Sequence, residues 1–334
     1  MKPKIIVSVL DSLSATKDVA FTKALGLAHW YESDLHVIHV GSSNRVGASG
    51  VDAIRDSLVE RVTRLAEGPG AASVNVIAAV LSGSPVRAIA EYAGRVSADL
   101  VVVEKKARHA SGYWSPGSFA EAVGKAAKPP TIAVSSSDTQ ATDSATGFRK
   151  ILAPIDFSQA SIRALSEALV LVQQSGGHLR LLHVLEGFPY ETVYSGARAF
   201  RLIDDYRARV ARVDRELRSL IPPDALNWAE IDVATVSGRA HDAIVAAASD
   251  QRADLVVLGL PRRSRMEDLL AGSTVNRVLR RTTSPVLLVP GPATARLVSP
   301  AREDDVQFAT HDGAFGRRAA SEPDRAVEAG TSWG

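Results

Sequence analysis

The segment Ala98–Val103, Ala-Asp-Leu-Val-Val-Val, recurs 155 residues later as Ala253–Leu258, Ala-Asp-Leu-Val-Val-Leu. An apolar run of this length, rich in β-branched residues, is typical of a strand buried on both faces of a parallel sheet. The same offset relates Ser82-Gly83 to Ser237-Gly238, Gly117-Ser118 to Gly272-Ser273, and Pro130 to Pro285. Anchors in one order at one offset indicate a tandem duplication.

The N-terminal part of each copy repeats at a shorter distance. Ile5–Ser12 resembles Ile151–Ser158, with an offset of 145 between Asp11 and Asp156, and Leu35–Val40 resembles Leu179–Val184 at 144. The later change to 155 predicts about 11 extra residues in the second copy. They are expected after its second strand, around Gly187–Arg201.

Each copy alternates short apolar runs with amphipathic stretches of helical period. Because parallel neighbours need a helical crossover, this alternation predicts an α/β fold of two tandem doubly wound, Rossmann-like parallel-sheet domains. The strands predicted for the first copy are Ile5–Leu10, Leu35–Val40, Val74–Val80, Leu100–Val103 and Thr131–Val134. Helices are predicted in the second copy over Ser161–Gln174, Ala240–Ala248 and Ser273–Arg281.

Composition separates the folded parts of the chain from its connections. Domain 1 is expected over residues 1–137 and domain 2 over 148–290. The stretch 138–147 is polar and small, which is typical of a linker. Residues 291–334 carry no apolar period and are expected to form a disordered C-terminal tail.

Charge and cysteine content exclude several classes of protein. The 334 residues include 39 basic and 37 acidic side chains, a net charge of +2, so nothing here requires nucleic acid or an anionic membrane as partner. With no cysteine, disulfides, thiolate catalysis and iron–sulfur clusters are excluded. No apolar run is long enough for a membrane span, and the N-terminal run is too short for a signal peptide. A cytoplasmic protein is expected.

The candidate ligand site lies in the second copy, at the carboxyl ends of its strands. Asp156 ends the first strand and could accept hydrogen bonds from ribose hydroxyls or an adenine amino group; the alternative is a helix cap. Gly259 ends a later strand. Gly272-Ser273-Thr274 opens a helix, where free N–H groups and a close backbone approach suit a phosphate; the alternative is an ordinary N-cap.

These motifs together resemble the universal stress protein family. The resemblance covers about residues 2–135 and 148–290 and implies an adenine-nucleotide alpha-hydrolase-like fold that binds ATP, with Mg²⁺ on the phosphates. By this resemblance, the adenosine is held by Pro154, Ile155, Asp156 and Val184. The ribose and phosphates are held by Gly259, Gly272, Ser273, Thr274 and Val275.

Two departures from the family pattern affect this expectation. Arg262 replaces the second glycine of the phosphate loop, and with Arg263 and Arg265 it either supplies charge to phosphate or fills its space. In the first copy, Glu104 replaces the strand-end glycine and would repel a triphosphate. We therefore expect a degenerate first site, with ATP bound in the second copy only.

No catalytic constellation accompanies the site. Neither a Walker loop nor a nucleophile elbow is present, so a slow ATPase would lack a base. The family resemblance implies a regulatory binding protein of the stress response rather than an enzyme. The alternative is an interaction or scaffold protein of the same fold that binds no nucleotide. His39 and His183, at matching strand ends, are interpreted as structural rather than as a metal pair.

The last strand of each copy is an apolar edge strand. Thr131–Val134 and Val286–Pro290 would be exposed in isolated domains, and exposed edges seek partners. The family resemblance implies that they associate across a pseudo-two-fold axis, so that one chain forms an intramolecular pseudo-dimer. Two chains forming a homodimer would be a second step. Regulatory protein partners are expected but not identified.

Overall fold

The protein is described by a computed structural model over residues 3–10, 12–13, 18–41, 48–65, 73–105, 108–109, 112–113, 118–135, 147–186, 197–261 and 274–291. Most of the expected linker 138–147 lies outside these residues, as does the expected tail beyond Gly291.

Both copies fold as alternating strands and helices, as predicted. The first copy contains β1 (Ile5–Val9), α1 (Val19–Tyr31), β2 (Asp34–Gly41), α2 (Ala48–Leu65), β3 (Val76–Ser82), α3 (Pro85–Arg95), β4 (Leu100–Glu104), the hairpin β5 (Arg108–His109) and β6 (Gly112–Tyr113), α4 (Ser118–Ala126) and β7 (Thr131–Val134). The second contains β8 (Lys150–Pro154), α5 (Gln159–Ser175), β9 (His178–Leu185), α6 (Ala197–Ser219), a 3₁₀ turn (Pro223–Asn227), β10 (Glu230–Ser237), α7 (Ala240–Asp250), β11 (Leu255–Leu260), α8 (Thr274–Arg281) and β12 (Val286–Pro290).

Ten of the strands form one continuous sheet. Their order is β10-β9-β8-β11-β12-β7-β4-β1-β2-β3, and within each copy every pair is parallel. The two copies meet where β12 pairs antiparallel with β7, with Leu287 opposite Ile132. The expected pseudo-dimer is thus built through backbone hydrogen bonds between the two last strands, and the strands of the two copies run in opposite directions.

The sheet has an apolar core on each face. On one face, Phe21 of α1 and Leu165 of α5 belong to a single cluster of buried side chains. On the other, Phe119 of α4 and Leu279 of α8 do the same. Each core therefore runs through both copies. Within the described residues, no helix is both long and apolar enough to cross a bilayer.

The aspartate of the repeated Ala-Asp-Leu motif has a structural role that the sequence pattern did not predict. Asp99 accepts hydrogen bonds from the backbone N–H groups of Lys4 and Ile5, at 2.8 and 3.1 Å. Asp254 does the same for Arg149 and Lys150. Each aspartate thus holds the first strand of its copy against the neighbouring strand, which accounts for its recurrence in both.

The extra residues of the second copy are divided between two places. The helix α6 has 23 residues and its counterpart α2 has 18. The segment between β9 and α6 is also longer than that between β2 and α2. The sequence predicted the insertion around Gly187–Arg201, and the additional residues at the start of α6, which begins at Ala197, fall in that range.

Candidate functional site

A cavity of about 560 Å³ opens at the carboxyl ends of β8, β9 and β11, the edge that the sequence predicted. Its volume lies within the usual range for small-molecule sites. Seven predicted site residues line it: Pro154, Ile155, Asp156, Val184, Gly259, Thr274 and Val275. The other three, Arg262, Gly272 and Ser273, lie outside the described residues.

Asp156 forms a tight turn that precedes α5. Its Oδ1 accepts a hydrogen bond from the N–H of Ser158 at 3.0 Å. Ser158, not Asp156, is the N-cap of α5, and its Oγ accepts from the N–H of Ser161. Partial burial raises the pKa of Asp156, but hydrogen bonds from Ser158 and Ser161 outweigh it, so that the pKa lies below its ordinary value. A charged acceptor therefore stands at the cavity wall.

Phe157 has a backbone conformation that was not anticipated. Its φ is 61°, in the left-handed region that side chains rarely adopt. The residue is 37% exposed, and its ring lies 5.1 Å, centroid to centroid, from the imidazole of His183. Strained residues of this kind concentrate at functional sites. The turn directs the chain from β8 into α5 beside the cavity.

His183 and His39 fill the same structural role in the two copies. The Nδ1 of His183 lies 2.7 Å from the carbonyl oxygen of Ile155, and the Nδ1 of His39 lies 2.9 Å from that of Leu10. Each imidazole therefore fixes the residue that follows the first strand. No group of three or more metal-ligating side chains occurs among the described residues.

Gly259 is needed for helix packing as well as for an open site. A Cβ at this position would overlap the backbone of Ala160 and Ser161, in the first turn of α5. The absence of a side chain thus lets α5 start directly over β11. The first copy has Glu104 at the equivalent position, and its helix α1 begins only at Val19, which aligns with a residue one turn inside α5.

Three charged residues at the cavity were missed by the sequence analysis. Glu186 caps α7, since its Oε1 accepts from the N–H of Ala240 at 2.7 Å. Glu121 and Lys125 come from α4 of the first copy and form an ion pair of 2.8 Å. No local pattern could identify this pair, because it reaches the cavity only through the junction of the two copies. The i,i+4 spacing alone indicates an ordinary helix-surface pair.

The three carboxylates in the described part of the cavity lining all have donors. Glu121 is paired with Lys125, Glu186 lies at the positive end of α7, and Asp156 accepts from the backbone of Ser158. Apolar walls from β8, β9, β11 and α7 complete the cavity. The described lining therefore offers apolar surface, three carboxylates, the ammonium of Lys125 and the N-terminal turn of α8.

A model of the universal stress protein family matches the chain twice, over residues 2–135 and 147–290. The chain belongs to this family. It is a tandem member, with one family unit in each copy, and membership assigns it to the stress response.

Curated relatives match a single copy of this universal stress protein. One from Methanocaldococcus jannaschii is 25% identical over 157 residues, which cover 42% of this chain and 94% of the relative. One from Thermus aquaticus, described as a universal stress protein in the QAH/OAS sulfhydrylase 3′ region, is 30% identical over 145 residues, covering 42% and 98%.

A solved structure resembles both copies together. The universal stress protein of Archaeoglobus fulgidus covers 87% of this chain and 97% of its own, with a TM-score of 0.58 and 18% identity. At this identity the likeness concerns the fold, which agrees with the Rossmann-like architecture of the two units.

Proposed function

We propose that this universal stress protein is a regulatory binding protein that holds ATP in its second copy. The observation that carries the proposal is the 560 Å³ cavity, whose wall joins seven residues from four separate segments that the sequence had singled out. The role is binding rather than catalysis, with unidentified partner proteins responding to the bound state.

The cavity has groups that suit both the adenosine part and the phosphates of an adenine nucleotide. The side chains of Ile155, Val184 and Ile244 give the apolar contact that a base requires, and Asp156 supplies the charged acceptor for amino or hydroxyl groups. Thr274 begins α8, where backbone N–H groups and the helix dipole favour phosphate. Mg²⁺ would enter with the ATP phosphates.

The first copy is proposed not to bind ATP in this way. Glu104 takes, in the first copy, the place that Gly259 has in the second, where the lack of a side chain lets α5 pack closely. A carboxylate at this edge also opposes a triphosphate.

Calorimetry of the full chain with ATP and Mg²⁺ tests the proposal. We expect one ATP per chain. Asp156→Ala should weaken binding about tenfold, because a hydrogen bond to a charged group is lost. The matched control is Asp11→Ala, the equivalent position in the first copy, which should leave the affinity unchanged. No heat with wild type, or equal effects of the two variants, would contradict the proposal.

The second candidate, an interaction protein that binds no nucleotide, is favoured by one observation. The described lining holds three carboxylates and a single lysine, a balance that disfavours a polyanion. Mass spectrometry of the purified chain separates the candidates: co-purifying adenine nucleotide supports the first, and its absence together with silent calorimetry supports the second.

A further inference from the structure

Glu121 and Lys125 belong to the first copy but line the cavity of the second. The antiparallel pairing of β7 with β12 explains this position. Within its own copy, α4 runs against the strand direction, so its C-terminal half lies at the amino ends of those strands. Because the second copy points the other way, that half of α4 lies at the carboxyl edge of the second copy's strands.

A glycine lets α4 approach the second copy closely. A Cβ at Gly124 would lie 3.0 Å from Cδ2 of Leu260 and 3.1 Å from Cδ1 of Leu288, tighter than ordinary contact. Lys125, the next residue of α4, lines the same cavity as Leu260. Its side chain is 37% exposed, and that of Glu121 is 11% exposed.

The contact related to this one by the pseudo-two-fold axis, between β4 of the first copy and α8 of the second, is built differently. At an offset of 155, Leu260 corresponds to Lys105. Lys105 is buried, and its Nζ donates to the carbonyl oxygens of Thr282 and Ser284, at 3.0 and 2.7 Å. In the first copy a lysine thus bridges to the end of α8, whereas Leu260 in the second packs against Gly124 beside an open cavity.

We propose that Lys125 and Glu121 contact the ligand of the second copy and set its preference for phosphate charge. This inference rests on the proposed function. A lysine ammonium has three donors, so Lys125 can keep its bond to Glu121 and still donate to a phosphate oxygen. The Glu121 carboxylate opposes each added negative charge. The pair thus tunes affinity according to the number of phosphates.

The test compares adenosine, ADP and ATP by calorimetry on the full chain. Lys125→Gln should weaken ATP about fivefold and leave adenosine unchanged, since a partly exposed ion pair contributes modestly. Glu121→Gln should strengthen ATP by a similar factor. Arg280→Gln is the matched control, because Arg280 holds the equivalent helix position in the second copy and is exposed.

Three outcomes are distinct. Opposite shifts for the two α4 variants, confined to phosphate-bearing ligands, support the inference. If wild type binds ATP but Lys125→Gln behaves like Arg280→Gln, or weakens adenosine and ATP equally, the inference is wrong and the proposed function stands. If wild type binds none of the three ligands, both are wrong.

Discussion

Gly259 lies where β11 passes beneath the first turn of α5. We expect Gly259→Ala to destabilise the fold by about 2 kcal/mol, because the new Cβ must push the backbone of Ala160 and Ser161 away. Gly94→Ala is the control: nothing lies within 4 Å of its Cβ position in α3, so a gain of about 0.5 kcal/mol is expected. Urea unfolding measures both. Equal stability of Gly259→Ala and wild type would show that α5 does not need this glycine.

Tyr31, at the end of α1, makes the fold sensitive to alkali. Burial raises its pKa from 10.0 to about 12. The folded state holds the Tyr31 proton more tightly than the unfolded state does. The free energy of unfolding is therefore unaffected by this group below pH 10, and it falls as the pH rises from 10 through 12. The loss approaches about 3 kcal/mol. Unfolding free energies of wild type and Tyr31→Phe at pH 9 and pH 11.5 test it. The difference between the two proteins should change with pH; a constant difference contradicts the assignment.

For Asp156, the local sequence predicted the position of the residue but not its exact role. Its place at a strand end predicted a residue at the ligand edge, and it does line the cavity. The choice between ligand and cap stayed open, because Asp156 and Ser158 are both good capping residues. The structure assigns the cap to Ser158. The left-handed φ of Phe157 carried no signal, since nothing in its residue type requires it.

Among the elements, the end of α8 depends on a side chain from the other copy. Lys105 donates to two carbonyl oxygens just beyond the helix, where a cation also suits the helix dipole. Lys105→Met should cost about 2 kcal/mol, because both carbonyls lose a charged donor in a buried place. The exposed Lys128→Met provides the control. Hydrogen exchange should show faster opening at residues 278–284 in Lys105→Met alone.

The sequence predicted which helices and strands are present, but it predicted their first and last residues only approximately. The predicted strand Thr131–Val134 has the observed bounds. The strand predicted at Val74–Val80 lies instead at Val76–Ser82, because pairing with β2 extends to Gly41 opposite Ser82. Apolar period identifies an element, but the neighbouring strand decides where it ends. The position of α4 beside the cavity of the second copy depends on the junction between the copies, so no local sequence pattern predicts it.

On the scale of the whole molecule, the sheet and both cores cross the junction without interruption. We therefore expect the two copies to unfold together, in one calorimetric transition whose van't Hoff and calorimetric enthalpies agree. Leu288→Asp should weaken this coupling, since Leu288 is buried beside Gly124 at the junction. Two separate transitions in wild type would show that the copies are independent in stability.

The antiparallel joint between β7 and β12 also has an evolutionary consequence. In a symmetric pair made from one gene product, every substitution is repeated on both sides of the axis. Here the two sides are encoded separately. Glycine could thus persist at 259 while glutamate arose at 104, and leucine at 260 while lysine arose at 105. Because the two halves are fused in one chain, substitutions in the first copy can stabilise the second copy without being repeated there.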